Sequence, residues 1–428
     1  MSKLTNLLTA ELIRQQNSLE LIASENYTSP AVIAACANVF TNKYSEWYPW
    51  ARYYGGNEIV DDLENYTKDL ALQVFWLLPS PSEAVGRGAG GEGSWWVNVQ
   101  ALSWSVANLA VYTWVLKAWD TILAMDLSAW WHLTHGMKLN ASGKYFNIVS
   151  YGVNADGTID YDQLKSLALE HKPAMIIAGF SSYPRSLDWS VFQDIKNQLA
   201  TQWHTTLLMA DIAHIAGLVA GKVIDGPWDY DFDIVTTTTH KTLRWPRWAL
   251  IYYRLPLEKK INRGVFPWVQ WWPFDHVLVA KATAFEEILD PNTHWSQYCK
   301  QIVSNAQALA SWLVARGWSV ATGGTENHIV ILDVTAKWWE LTGKIAEKLL
   351  EDIGLSVNKQ LIPNDPRPPL DPSGVRLGTP AITTRWLVES DVEVLVDIID
   401  AILTHWDSVI DVQQARVLEL CKKYPLPY

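Results

Sequence analysis

Between about residues 95 and 290 the chain alternates short apolar runs with amphipathic stretches, and this alternation narrows its fold more than any other feature. The runs at 121–125, 174–178, 206–210, 233–235 and 249–253 have strand length and strand composition, whereas 161–170 and 191–199 repeat apolar residues at helical spacing. Strands and helices in turn predict an α/β fold with a large, mixed but mostly parallel sheet covered by helices. After about residue 290 the pattern changes to a long helix at 296–315. A strand at 328–334, a helix at 343–352 and a Pro-rich loop at 362–372 follow, as expected of a smaller C-terminal α/β domain. At the other end, Leu4, Leu7, Leu8, Leu12 and Ile13 recur at helical spacing before Ser24, Glu25 and Asn26. The expected division is therefore a helical arm at 1–30, a large domain at 31–288 and a small domain at 289–428. The Pro/Gly/Ser-rich stretch 79–93 reads as a solvated loop.

Composition excludes several classes. The 34 Lys and Arg against 45 Asp and Glu leave a net charge of −11, which argues against a nucleic-acid binder. Cys36, Cys299 and Cys421 are too few and too scattered for a disulfide framework or a metal site. No signal-type amino terminus and no apolar run of about 20 residues is found, so a cytoplasmic protein with no membrane partner is expected. One number fits none of this. The chain has 25 Trp and only 23 Gly.

The most informative run is Thr236-Thr-Thr-Thr-His240-Lys241-Thr242, directly after the apolar run 232–235. Hydroxyls, an imidazole and one lysine at the carboxyl end of a buried strand form a polar pocket where open α/β sheets bind ligands. A desolvated lysine there has a lowered pKa and can act as a nucleophile that forms a Schiff base; a Thr-rich strand edge with a surface lysine is the plain alternative. Asp211 closes the run 207–210 about thirty residues earlier. Alone it reads as a helix N-cap, and with Lys241 as the carboxylate partner of a pyridinium nitrogen. Ser103, Trp104 and Ser105 precede the helical stretch 109–116, where backbone N–H groups and hydroxyls could hold a phosphate or simply cap the helix. Arg376 lies in an apolar, strand-like setting that suits a guanidinium only if it is paired with a carboxylate, of the protein or of a ligand.

Taken together, LELIASENYTSPAV, TNKYSE, RYYGGNE, MDLS, HLTHG, MADIAHIAGLVA, IVTTTTHKTL, NKQLIPNDPRPP and SGVRLGTPAITTR resemble the serine hydroxymethyltransferase family, from Leu21 to about Tyr428. The resemblance implies a fold-type-I, aspartate aminotransferase-like transferase that uses pyridoxal 5′-phosphate. Such an enzyme moves the hydroxymethyl carbon of serine reversibly to tetrahydrofolate, giving glycine and 5,10-methylenetetrahydrofolate. It implies that Lys241 holds the cofactor, Asp211 keeps the ring nitrogen protonated, His132 stacks on the ring, and His214 and Ser181 bind near its phenolic oxygen. Ser103, Trp104, Ser105, His240 and Trp272 would border the phosphate. Arg376 and Ser24 would take the amino-acid carboxylate. Tyr44, Glu46 and Tyr54 would handle the substrate hydroxyl and reach the site from a neighbouring subunit, which implies a homodimer with shared active sites. Leu127, Leu133 and Asn358 would border the folate.

Set against these motifs, the excess tryptophan falls where the family has glycine: Trp47, Trp50, Trp76, Trp96, Trp104, Trp119, Trp130, Trp131, Trp245, Trp248, Trp268, Trp271, Trp272 and Trp386. Trp95, Trp189, Trp318 and Trp406 read as ordinary tryptophans. Glycine in the phosphate loop and around Phe266–Pro273 serves close backbone approach or positive φ, so an indole at Trp104 is expected to block the cofactor. Either the chain is a degenerate, non-catalytic dimeric homologue, or these codons are glycine, read from a reassigned stop codon and written as tryptophan. A folate-independent aldolase of threonine-type substrates is a further alternative. Ala101, Leu102 and Val106 also depart from the family, and these changes are expected to be tolerated.

Overall fold

The computed structural model describes residues 2–78, 95–126, 130 and 132–428. The 79–93 loop, Leu127 and Trp131 lie outside them.

Seven strands form the large sheet: β1 (Trp95–Asn98), β2 (Thr121–Met125), β3 (Asn147–Tyr151), β4 (Met175–Gly179), β5 (Leu207–Asp211), β6 (Ile234–Thr238) and β7 (Ala249–Arg254). Their order is β1-β7-β6-β5-β4-β2-β3. The five from β3 to β6 in that order run parallel, while β7 is antiparallel to both β6 and β1. The inner strands β4 and β6 are buried along their whole length, which is why their sequences are continuous apolar or hydroxyl runs rather than alternating ones. Helices such as Tyr161–His171 and Trp189–Thr201 cover the sheet, and apolar clusters fill the space on its two faces.

A second sheet contains β8 (Ser319–Val320), β9 (Ile329–Asp333), β10 (Asn358–Gln360) and β11 (Gly374–Gly378), ordered β10-β11-β9-β8 and antiparallel throughout. Its core takes Leu309 and Leu313 from the helix Trp295–Ala315 and Leu395 and Ile399 from the helix Glu389–His405. The amino-terminal helix, Lys3–Gln16, is shorter than the arm read from sequence and leaves Leu4, Leu8 and Ile13 exposed. Leu19 and Glu20 then pair in parallel with Leu355 and Ser356, so Leu19 and Leu21 are buried in the core of the small sheet.

The backbone at the tryptophans is unusual. Among the described residues, fourteen that are not glycine have positive φ, and eight of these are tryptophan: Trp47, Trp50, Trp76, Trp119, Trp130, Trp203, Trp386 and Trp406. Tryptophan thus supplies over half of a conformation that only a few per cent of non-glycine residues adopt. The positions are structurally specific. Trp76, Trp203 and Trp386 each follow the last residues of a helix and close it with the same pair of bonds; at Trp76 these run from its own N–H to the Gln73 carbonyl, 2.9 Å, and from Leu77 N–H to the Leu72 carbonyl, 2.9 Å. That pair defines the left-handed helix stop, where glycine is the usual residue. Trp119 is the third residue of the turn closed by Asp120 N–H to the Lys117 carbonyl, 3.1 Å, again a place for glycine. Trp406 lies at φ 53°, ψ −135° after the helix Glu389–His405, a region that side chains avoid.

Two of these differ from the sequence reading. Trp406 was expected to be an ordinary tryptophan, and Trp203 was not singled out, yet both are left-handed. Conversely Trp96, Trp104, Trp245, Trp248, Trp268, Trp271 and Trp272 are not left-handed, so any case for glycine there rests on space rather than on φ.

Candidate active site

The parallel strands deliver their polar residues to one edge of the sheet. Asp211 is the last residue of β5, and Lys241 follows β6 by three residues. The loop carrying Lys241 is pressed onto the short helix Ala216–Ala220: Gly217 N–H donates to Thr242 Oγ1 at 2.9 Å, and Thr242 Oγ1 donates to the His214 carbonyl at 2.8 Å. A Cβ at Gly217 would meet the Thr242 carbonyl oxygen at 2.2 Å, so only glycine lets the two segments approach this closely.

Asp211 is fully enclosed and saturated with donors. Its Oδ2 accepts from Asn108 Nδ2 at 2.9 Å, from His135 Nε2 at 2.8 Å and from the indole N–H of Trp104 at 2.5 Å, and its Oδ1 accepts from Ala213 N–H at 3.2 Å. Burial alone would raise its pKa, but the His135 hydrogen bond and the neighbouring imidazoles outweigh it and hold the carboxyl below the usual range. Asn108 is fixed in turn by Thr236 Oγ1, which donates to its Oδ1 at 2.8 Å. Asn108 and His135 were not identified as site residues from sequence, and Thr236 only as one hydroxyl of the Thr-rich run. The HLTHG segment carried the only signal for His135, and only the fold sets it against Asp211.

Lys241 is 3% exposed, and its Nζ has no hydrogen-bond partner among the described residues. Burial pushes the amine well below the ordinary lysine range; Asp211 opposes this, while Arg376 and Arg247 add to it. A desolvated amine with a lowered pKa is a competent nucleophile. His132 is lowered to about 2 by burial and by His135, and His240 to about 3 by burial and by Lys241, so both rings are neutral. His214, pushed down by burial and then Lys241, lies parallel to His328 at 5.6 Å. Arg247, also missed in the sequence, adds a second cation that acts on His240.

Arg376 stands on β11 with Asn358 opposite it on β10. Its Nε donates to Asn358 Oδ1 at 2.9 Å, and its Nη1 to the Ser181 carbonyl at 2.9 Å and to Ser182 Oγ at 3.1 Å. Among the described residues it forms no ion pair, so the structural salt bridge considered above is absent and the guanidinium has only neutral acceptors. Burial lowers it to about 10, which still leaves it charged at neutral pH. Such a group is ready for a ligand carboxylate.

Ser103 caps the helix Trp104–Val115, accepting from Val106 N–H at 3.4 Å, and Ser103 and Ser105 are both exposed at its start. Ser24 is half-buried and Leu133 is exposed. Tyr44, Glu46 and Tyr54 form a group of their own: the tyrosine rings meet edge to face at 5.4 Å, Trp272 packs on Tyr44 at 3.8 Å, and Trp271 Nε1 donates to Glu46 Oε1 at 2.5 Å. Their segment is anchored by buried Arg52, which pairs with Asp61 and Glu64, each at 2.7 Å, and donates to the carbonyls of Ser45 and Trp47.

Within this frame the space bounded by Asp211, His132 and Lys241 is filled by the chain's own indole. The Trp104 ring stacks on His132 with centroids 3.4 Å apart and planes 17° apart. Lys241 Nζ lies 3.5 Å from the Trp104 ring centroid.

A mostly parallel sheet that gathers a desolvated lysine, a locked carboxylate and neutral imidazoles at its carboxyl edge defines an α/β enzyme with a lysine-centred site. The family model of serine hydroxymethyltransferase matches residues 2–399, and the chain belongs to that family. It is 45% identical over 431 residues to the serine hydroxymethyltransferase of Xanthomonas campestris pv. campestris, covering 99% of this chain and 96% of that protein. It is equally 45% identical over 420 residues to serine hydroxymethyltransferase 2 of Pseudomonas putida, covering 97% and 94%. Among the described residues no helix is long and apolar enough to cross a membrane.

Proposed function

We propose that the space around Lys241, Asp211 and His132 is the pyridoxal-phosphate site of this serine hydroxymethyltransferase, and that the working protein has glycine at 104 and at the eight left-handed tryptophans. The observation that carries this is the backbone: eight tryptophans hold a conformation that costs a side chain about 1–2 kcal/mol each. The sum is on the order of an ordinary domain's whole stability. A chain that folds cooperatively does not carry such a load at sites built for glycine.

The donor set suits the cofactor except at one residue. Lys241 offers a buried amine with no hydrogen-bond partner among the described residues, Asp211 a carboxylate held below its usual range, and Ser103 and Ser105 the start of a helix. Trp104 as written does not fit, because its indole lies against the same Asp211 oxygen and the same His132 face. The alternative of a non-catalytic homologue draws its support from that side chain and from Trp271 and Trp272, which pack on Glu46 and Tyr44.

On this proposal Arg376 binds the amino-acid carboxylate, with Asn358 holding the guanidinium plane and Ser24 beside it. Leu133 and Asn358 border the folate, with Leu127 outside the described residues. Tyr44, Glu46 and Tyr54 move protons at the substrate hydroxyl of a neighbouring subunit; Glu46 is buried and held by Trp271, and burial and Glu46 keep the Tyr44 phenol raised and protonated. The fold-type-I assignment, the division at residue 288 and the homodimer belong to the same proposal. The test is glycine formation from serine by the full chain carrying glycine at 104 and the eight left-handed positions. Turnover that requires tetrahydrofolate is expected. Cleavage of threonine-type substrates with no folate requirement would favour the aldolase, and no turnover of either kind the non-catalytic homologue.

A further inference from the structure

The indole of Trp104 is held by contacts that would suit a planar aromatic ring carrying an N–H. Its Nε1 donates to Asp211 Oδ2 at 2.5 Å, the same oxygen that takes Asn108 and His135. One face lies on His132, and Lys241 Nζ sits over the ring, 3.5 Å from its centroid. His214 meets the ring at a steep angle, 66°, with centroids 5.9 Å apart. The position of the side chain follows from the helix start: Ser103 caps, so Trp104 is the first helical residue, and its indole reaches Asp211 at the end of β5.

We propose that the side chain at residue 104 alone decides whether the site accepts pyridoxal phosphate, because an indole there occupies the cofactor-ring slot. This rests on the assignment of that site made above. An interior packed to crystal density does not hold two aromatic rings against one carboxylate oxygen and one imidazole face. The occupant is also tethered, so it competes at an effective concentration in the millimolar range however dilute the protein. Residue 104 has helical backbone, so removing the side chain is sufficient and positive φ is not needed.

The experiment compares two full-length chains, both with glycine at 47, 50, 76, 119, 130, 203, 386 and 406 so that they fold alike, one keeping Trp104 and one carrying W104G. Each is titrated with pyridoxal 5′-phosphate, reduced with borohydride and digested, and the labelled lysine is located by peptide mass. W104G is expected to take one equivalent at Lys241, and the Trp104 chain to bind roughly 100-fold or more weakly. W104A should match W104G. Equal labelling of Lys241 in both chains would mean that the indole swings aside, overturning this inference while leaving the site assignment intact. Lys241 unlabelled in both, with cooperative unfolding in each, would overturn the site assignment and the inference with it. Should the Trp104 chain not fold, W104F takes its place, since it keeps the bulk and drops the Asp211 bond; labelling equal to W104G would again overturn the proposal.

Discussion

Two helix ends in this molecule are built alike and written differently. The helix Trp295–Ala315 stops at Gly317, whose N–H donates to the Val314 carbonyl at 2.9 Å while Trp318 N–H donates to the Leu313 carbonyl at 3.1 Å. The helix Trp189–Thr201 stops at Trp203, whose N–H donates to the Ala200 carbonyl at 3.0 Å while His204 N–H donates to the Leu199 carbonyl at 3.1 Å. The φ values are 78° and 59°. The hydrogen bonds and the hand of the backbone agree, so the fold requires a conformation at both places, and the residue name is the only difference. Gly317 meets it without a Cβ. Trp203 meets it with an indole that is 98% exposed and so gains little by burial in return.

If that is right, restoring glycine should help wherever the tryptophan is left-handed and exposed. Replacing Trp47, Trp50, Trp76, Trp119, Trp203, Trp386 and Trp406 together by glycine is expected to raise stability by about 7–14 kcal/mol, since the sites are mostly far apart and roughly additive. Urea unfolding of the two chains measures it; a gain below about 2 kcal/mol would break the equivalence of the two helix ends. A tryptophan that is not standing in for glycine should behave in the opposite way. Trp189 is buried, and its Nε1 donates to the Asp225 carbonyl at 3.3 Å. Trp189→Ala is accordingly expected to cost about 3–5 kcal/mol in the same assay. The smallest and cleanest pair is W203G, expected to gain about 1–2 kcal/mol, against G317W, expected to lose a similar amount. Shifts of equal sign in the two would refute the comparison.

Much of this was legible in the sequence. The run 121–125 is β2 and the stretch 343–352 is a helix to the residue, because each carries its full pattern locally. Lys241 and Asp211 were placed at strand ends by the apolar runs before them. The edge strand β1 was not found, since it is short and follows the Pro/Gly/Ser-rich stretch, and the pairing of Leu19–Glu20 with Leu355–Ser356 joins segments too far apart in the chain for any local signal. The partners of Asp211 were hidden for the same reason: Asn108 and His135, and Thr236 that holds Asn108, come from separate elements. Trp76 and Trp119 were legible as glycine positions once the chain was set against the family, and their left-handed backbone agrees. Trp203 and Trp406 lie at helix ends, and their handedness is a property of the backbone.

The Trp104 pocket and the Trp203 helix end lead to the same statement by different physics. On the proposed assignment one lacks room for a side chain beside a bound cofactor, and the other lacks a backbone that tolerates one. The direct test is peptide mass spectrometry of the protein purified from the organism that makes it. Glycine is expected at 104 and 203, with tryptophan kept at 189 and 318. Tryptophan at 104 and 203 in the native protein would contradict the account.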